Sequence, residues 1–364
     1  MSSDFMPLRG WDHIEFYVGN AKQSAHFYDK VFGFRPVAKL GLETGSRDRA
    51  SYVMAQGNIR FVFTSALRPD HEIARHCALR GDGVKCIALE VNDCEAALRE
   101  AKSRGATVLQ PVQAQEDAHG TIRSGVIKYA GDTVFKFVER KDYRGAFMPG
   151  FAPIEARGAA APTGLAAVDH IVTNVYLGEM DYWARWFERV MGFSQLTHFT
   201  DKDISTEYSA LMSKVMENGS GKVKFPINEP AEGRRKSQID EYLDFYCGPG
   251  VQHVAMNTKD ICKTVRALRE RDIDFLRVPD TYYEDLEQRV GKIDEDYAEL
   301  RELGILVDRD EDGYLLQIFT QPIQDRPTLF FEVIERHGCR GFGQGNFKAL
   351  FVSLEREQAR RGNL

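Results

Sequence analysis

The chain has 364 residues, 43% of them apolar and 28% charged, with a formal net charge of −6. Its 23 Phe, 14 Tyr and 3 Trp exclude a disordered polar chain, and its mild acidity offers no basic surplus for nucleic acid or an anionic membrane. No stretch approaches the roughly 18 apolar residues of a membrane span. The start, Met1 to Arg9, lacks the apolar centre of an export signal. Six cysteines, at 77, 86, 94, 247, 262 and 339, form no Cys-x-x-Cys pair. The expectation is a cytoplasmic protein with reduced thiols.

Taken in chain order, the expected elements come twice. Residues 12–18 are rich in β-branched and aromatic side chains and read as a strand. Residues 21–32 place Phe27 and Val31 at helical spacing before Gly33, a stop signal. Residues 93–104 form a second amphipathic helix, and 128–139 a hairpin turning at Ala130-Gly131-Asp132. Gly150 to Gly164, rich in Ala, Gly and Pro, reads as the linker between domains 1–155 and 165–364.

The same order then returns. Val168-Asp-His-Ile171 answers Trp11-Asp-His-Ile14, and Arg185 to Phe193 answers His26 to Phe34. Gly250-Val-Gln-His-Val-Ala255 answers Gly83-Val-Lys-Cys-Ile-Ala88, with a helix over 260–271 behind it. Phe331-Glu-Val-Ile-Glu-Arg336 answers Phe135-Lys-Phe-Val-Glu-Arg140, in a hairpin turning through Gln324 to Pro327. Ordered matches of this kind mark a duplicated unit. Their separation grows along the chain, so the second copy holds insertions, of which the charged stretch 282–303 is expected to be an exposed helix. A last helix over 341–361, capped at Asn346, carries the stripe Phe347, Leu350, Phe351 and Leu354.

The copies differ at three matched strand positions. The first offers His13, Cys86 and Lys136; the second offers His170, His253 and Glu332. Two imidazoles and a carboxylate on three strands are the set that binds ferrous iron on one face, though a catalytic zinc site can use the same donors. Lys136 puts a cation where the carboxylate stands, so the first copy is expected to hold no metal.

Several motifs together carry a family resemblance: Val168-Asp-His-Ile171, Phe225-Pro-Ile-Asn-Glu-Pro230, Lys236-Ser-Gln-Ile239, Val251-Gln-His-Val254, Leu316-Gln-Ile-Phe-Thr320, Phe330 to Arg336, and Gly341-Phe-Gly-Gln-Gly-Asn-Phe347. From about Gly10 to about Glu357 the chain resembles the 4-hydroxyphenylpyruvate dioxygenase family of the vicinal oxygen chelate superfamily. The resemblance implies an α+β fold of two tandem domains. Each would be an open β-barrel of paired βαβββ modules, with a C-terminal lid helix added. It further implies one Fe(II) per subunit on His170, His253 and Glu332, with O2 as co-substrate. The substrate would be an aromatic 2-keto acid that makes 2-oxoglutarate unnecessary, and the product homogentisate. A homo-oligomer, dimer or tetramer, is implied too. Ser209, Asn228, Gln238, Gln252 and Gln317 match the family's polar pocket, and Phe319, Phe330, Phe342 and Phe347 its aromatic wall. Gln317, Gln252 and Phe347 would act closest to the chemistry. Extra residues between Lys214 and Lys224 let the Ser209 match slide.

Two other readings remain at this point. The resemblance extends to 4-hydroxymandelate synthases, which hydroxylate the benzylic carbon; Asn228 and the Phe-rich wall favour ring hydroxylation. Some relatives of this module only sequester compounds, and the intact trio argues against that. Three lookalike motifs carry no chemistry. His71 to His76 has i, i+5 spacing rather than the zincin i, i+4 and reads as a solvated helix. Gly341-Phe-Gly-Gln-Gly345 lacks a following βαβ unit. Asp308 to Gly313 has Phe319 where a calcium loop needs Glu, and reads as a hairpin turn.

Overall fold

The structure is a computed structural model that describes residues 5–155, 158–199, 210–231 and 236–362. It contains two sheets. In the first the strand order is Val108–Asp117, Gly120–Lys128, Val134–Glu139, Gly83–Val91, Leu8–Tyr17, Ile59–Ala66, Arg49–Gln56, Arg35–Leu40 and Ala152–Pro153. In the second it is Ser194–Phe199, Ala210–Glu217, Lys224–Ala231, Ala167–Asn174, Gly250–Asn257, Phe330–His337, Tyr314–Phe319 and Leu306–Arg309. Each sheet is two βαβββ modules joined through their first strands, which pair antiparallel; each first strand pairs parallel with the last strand of its own module. The α+β architecture implied by the resemblance is therefore present.

The repeated helices start where side chains can cap them. Asp93 accepts from Ala96 N–H and Asp260 from Lys263 N–H, which accounts for an Asp at this point of each copy. The helices Ala21–Lys30 and Met180–Trp186 pack reciprocally between the two sheets. Tyr28 of the first, with Phe32 just beyond its end, meets Phe331, with ring centroids 5.9 and 5.3 Å apart. Trp186 of the second, with Phe187 just beyond it, meets Phe135 at 6.1 and 5.9 Å. Phe135 and Phe331 are matched positions of the duplication, each one residue before Lys136 and Glu332. Alternation along a strand therefore turns the phenylalanines to the shared core and their neighbours inward.

Four details differ from the sequence reading. The linker is not a free connection: Ala152–Pro153 adds an edge strand, and Thr163 donates to Phe32 O and Gln56 Oε1. A Cβ on Gly33, at φ +76°, would stand 2.6 Å from Ala161 O, so glycine there permits the close approach. Helix Glu72–Arg80 is not simply solvated, because His76 turns inward to Asp132 at 2.7 Å. The stretch 282–303 is not one exposed helix: it contains Leu286–Val290 and Tyr297–Leu303, and Leu286, Val290, Leu300 and Leu303 are buried. Finally, helix Gln344–Arg360 is capped by Gly343 at φ +72°, while Asn346 lies inside it with Oδ1 2.6 Å from Tyr282 Oη.

Candidate metal centre

Three neighbouring strands carry the trio. Ala167–Asn174 pairs with Gly250–Asn257, which pairs with Phe330–His337, and in this register Ala255 stands opposite both His170 and Glu332. Its methyl group leaves room for the two longer side chains to meet above it. His253, two residues earlier, shares that face. Both imidazole Nε2 atoms point at one carboxylate oxygen: Glu332 Oε2 is 3.0 Å from His170 Nε2 and 3.3 Å from His253 Nε2. Donors about 2.1 Å from a common metal and at right angles to it stand about 3 Å apart, so the set fits a divalent metal bound on one face. All three residues are buried, and their ligand atoms lie within 4.8 Å of one another.

Neighbouring groups fix the donors. His170 Nδ1 is 2.7 Å from Asp169 Oδ1, and His253 Nδ1 is 3.0 Å from Gln252 Oε1. Each acceptor favours the proton on Nδ1 and leaves Nε2 free to ligate. Asp169 is clamped by Arg336 through two bonds of 2.8 Å, and Arg336 also donates to Gly341 O at 2.6 Å. Burial opposes a charged Asp169, but Arg336 and His170 hold its pKa well below the usual carboxylate range. Burial likewise opposes ionisation of Glu332, and the two imidazoles outweigh it. Burial disfavours charge on His170, yet Glu332 and Asp169 raise its pKa; at His253 burial prevails and lowers it.

Around the trio a narrow pocket of about 20 Å³ is lined by Val172, Pro226, Asn228, Gln317, Phe319 and Phe342. Except for Phe342, which lies between strand Phe330–His337 and the C-terminal helix, these side chains come from strands spread across the sheet at about 4.8 Å spacing, so only a curled sheet brings them to one point. Phe342 packs edge-on to His170 at 4.8 Å, and Phe330 stacks on His253 at 4.7 Å. Of the residues expected from sequence, Asn228, Gln317, Phe319 and Phe342 thus join the trio. Gln238 and Gln252 instead line a separate crevice with Phe330, Leu354 and Arg361. Phe347 lies in helix Gln344–Arg360, and Ser209 lies outside the described residues.

A protein-family profile described as Glyoxalase/Bleomycin resistance protein/Dioxygenase superfamily matches residues 10–132 and 167–318. Curated 4-hydroxyphenylpyruvate dioxygenases are similar over nearly the whole chain. That of Yarrowia lipolytica is 47% identical, covering 98% of this chain and 94% of its own. That of Danio rerio is 48% identical, covering 98% and 94%. The chain belongs to the 4-hydroxyphenylpyruvate dioxygenase family. A solved structure of a 4-hydroxymandelate synthase mutant from Streptomyces coelicolor is also similar, with TM-score 0.85, 32% identity, and coverage of 97% of this chain and 100% of that one.

Within this family frame, sequence reading missed two polar residues. Asn174 and Ser213 are fully buried, and among the described residues their side-chain polar atoms have no hydrogen-bond partner; nor has Asn228 Oδ1. Asn174 pairs with Asn228 on one side, and Ser213 with Asn228 on the other. Buried polar atoms left without a partner cost roughly 1–3 kcal/mol each, so this row is built to meet a polar ligand or water. Counting in twos from His170 leads to Asn174; Ser213 needed the strand register.

The Asp169 clamp gives a test. Asp169→Asn is expected to weaken metal binding about 10- to 100-fold, because it loosens the orientation of His170 and leaves Arg336 without its charge partner. Metal titration of the purified variant checks this, and an unchanged affinity would remove Asp169 from the centre.

Proposed function

We propose that the chain is an Fe(II)-dependent dioxygenase that converts 4-hydroxyphenylpyruvate and O2 to homogentisate and CO2. One iron per subunit would be held by His170, His253 and Glu332. The convergence of two Nε2 atoms and Glu332 Oε2 in a chain of this family carries the reading. Bound iron supplies the redox chemistry, and the protein supplies position and a dry enclosure. The substrate brings its own 2-keto acid, so no 2-oxoglutarate is required. Residues 1–155 and 165–364 act as separate domains, with the chemistry in the second.

The chain's own groups have distinct tasks in this reading. Gln317 and Asn228 orient the polar ends of the substrate, since amides both donate and accept. Asn174 and Ser213 extend that polar row. Phe319, Phe330 and Phe342 hold the ring and exclude water. Gln252 acts through His253, by fixing its tautomer. The enzyme works in the cytoplasm as a dimer or tetramer. Among the described residues no helix is long and apolar enough to cross a membrane.

The similarity to a 4-hydroxymandelate synthase makes that reaction the second reading. Incubation with 4-hydroxyphenylpyruvate and quantified Fe(II), followed by chromatography, separates the two. Homogentisate as the main product is expected. Hydroxymandelate as the sole product would overturn the assignment in favour of the second reading, and no Fe(II)-dependent oxygen uptake would favour a ligand-binding role.

A further inference from the structure

The duplication leaves a second pocket in the first sheet. A cavity of about 380 Å³ is lined by His13, Glu15, Arg49, Lys136, Phe147 and Met148, with other residues around its mouth. It sits where the metal centre sits in the other copy, and its framework is preserved. Asp12 Oδ1 lies 2.7 Å from Arg140, whose Nη1 donates to Phe147 O at 2.8 Å, as Arg336 joins Asp169 to Gly341 O. The ring of Phe147 is edge-on to His13 at 5.1 Å, as Phe342 is to His170 at 4.8 Å. Ala88 stands opposite both His13 and Lys136, as Ala255 stands opposite His170 and Glu332.

What has changed is the charge. An iron with two neutral imidazoles and one carboxylate carries a residual +1, and Lys136 supplies +1 at the carboxylate's position. Burial keeps His13 neutral by lowering its pKa, and it pushes the Cys86 thiol up to about 12, so neither adds charge to the cavity. Glu15 accepts from Thr64 Oγ1 at 2.7 Å, and against burial Lys136 and Arg49, both close by, help to hold its carboxyl below the usual range. Among the described residues no carboxylate stands within 4.0 Å of Lys136 Nζ or of the Arg49 guanidinium. Two cations and one carboxylate therefore face a cavity with an aromatic wall.

We propose that this cavity is a second binding site, which takes a small aromatic monocarboxylate with its carboxylate on Lys136 and its ring against Phe147 and Met148. The volume lies within the range of small-molecule pockets and suits an organic body rather than a bare anion. The net charge of the wall matches one negative charge. The site is expected to hold its ligand without turning it over.

The experiment uses the full chain labelled with 13C at the methionine methyl groups. Phenylacetate is the probe, because it lacks the keto group needed to chelate a metal. Titration is expected to shift the Met148 methyl resonance with saturation near about 1 mM. Lys136→Gln is expected to weaken this binding at least about tenfold while turnover stays unchanged, and Lys136→Arg to keep it. Benzyl alcohol, which has the ring without the charge, is expected to bind at least about tenfold more weakly than phenylacetate. A Met148 resonance that does not move by about 10 mM phenylacetate would overturn the proposal. So would equal binding by Lys136→Gln or by benzyl alcohol. Inorganic phosphate shifting Met148 as tightly as phenylacetate would reduce the site to a simple anion trap and also reject it. If Lys136→Gln fails to fold, the Lys136→Arg variant and the comparison of probes still decide.

Discussion

Glu332→Ala is expected to abolish both metal binding and turnover. Glu332 Oε2 lies 3.0 Å from one Nε2 and 3.3 Å from the other, and it supplies the negative charge in a set whose other members are imidazoles. Loss of a group that only orients a ligand costs about 10- to 100-fold in affinity, so loss of the charged ligand itself costs more than that. Metal that binds the folded state raises its melting temperature, which gives a readout independent of activity. The wild-type chain is expected to melt higher on adding Fe(II) without oxygen, and the Ala variant to show no shift. Glu332→Gln separates charge from shape: it keeps the length and the pairing register with Ala255, and it is expected to lose the metal as well. Unchanged turnover in either variant would refute the ligand assignment.

The trio was legible because duplication supplies its own control. One strand histidine says little, but His253 facing Cys86 and Glu332 facing Lys136 across two copies isolate the positions where chemistry differs. The strands, the hairpins and the helices over 93–104 and 260–271 were legible for local reasons: alternation, turn residues and helical spacing all act within a few positions. What was not legible depends on distant partners. Ala255 matters because it is small and stands between two strands, and a lone alanine carries no such mark. Asn346 looks like a cap, but Tyr282, far away in sequence, takes its side chain and leaves Gly343 to start the helix. The polar stretch 282–303 concealed five buried aliphatic residues, Leu286, Val290, Ile293, Leu300 and Leu303, because its charges dominate the pattern. Gln252 was expected beside the substrate, yet its nearest described partner is His253 Nδ1.

Deleting the residues after Arg340 is expected to leave metal binding in place and to remove turnover. The trio sits on strands that end before this point, and Arg336 keeps Asp169 and the carbonyl of Cys339 when the Gly341 carbonyl is lost. The pocket does not survive in the same way. Phe342 covers His170, and Leu354 packs with Leu276, Leu306, Phe319 and Phe330, so the deleted segment backs two parts of the aromatic wall. Leu354 alone contributes about 2 kcal/mol by burial, while Arg361 on Glu241 and Gln358 on Lys236 O tie the far end of the helix to the domain. The segment must also move. A pocket of about 20 Å³ has room for about one water, and an aromatic keto acid cannot reach the trio until a wall is displaced. Phe342 lies between Gly341 and Gly343, the second already left-handed, so it is the wall with the freest backbone. Phe342→Ala tests the same idea without removing the helix. Its metal-induced melting shift is expected to persist, and oxygen consumed is expected to exceed product formed, because the substrate is no longer held in a closed dry site. Normal, tightly coupled turnover by the truncated chain would show that the segment is packing and not a lid.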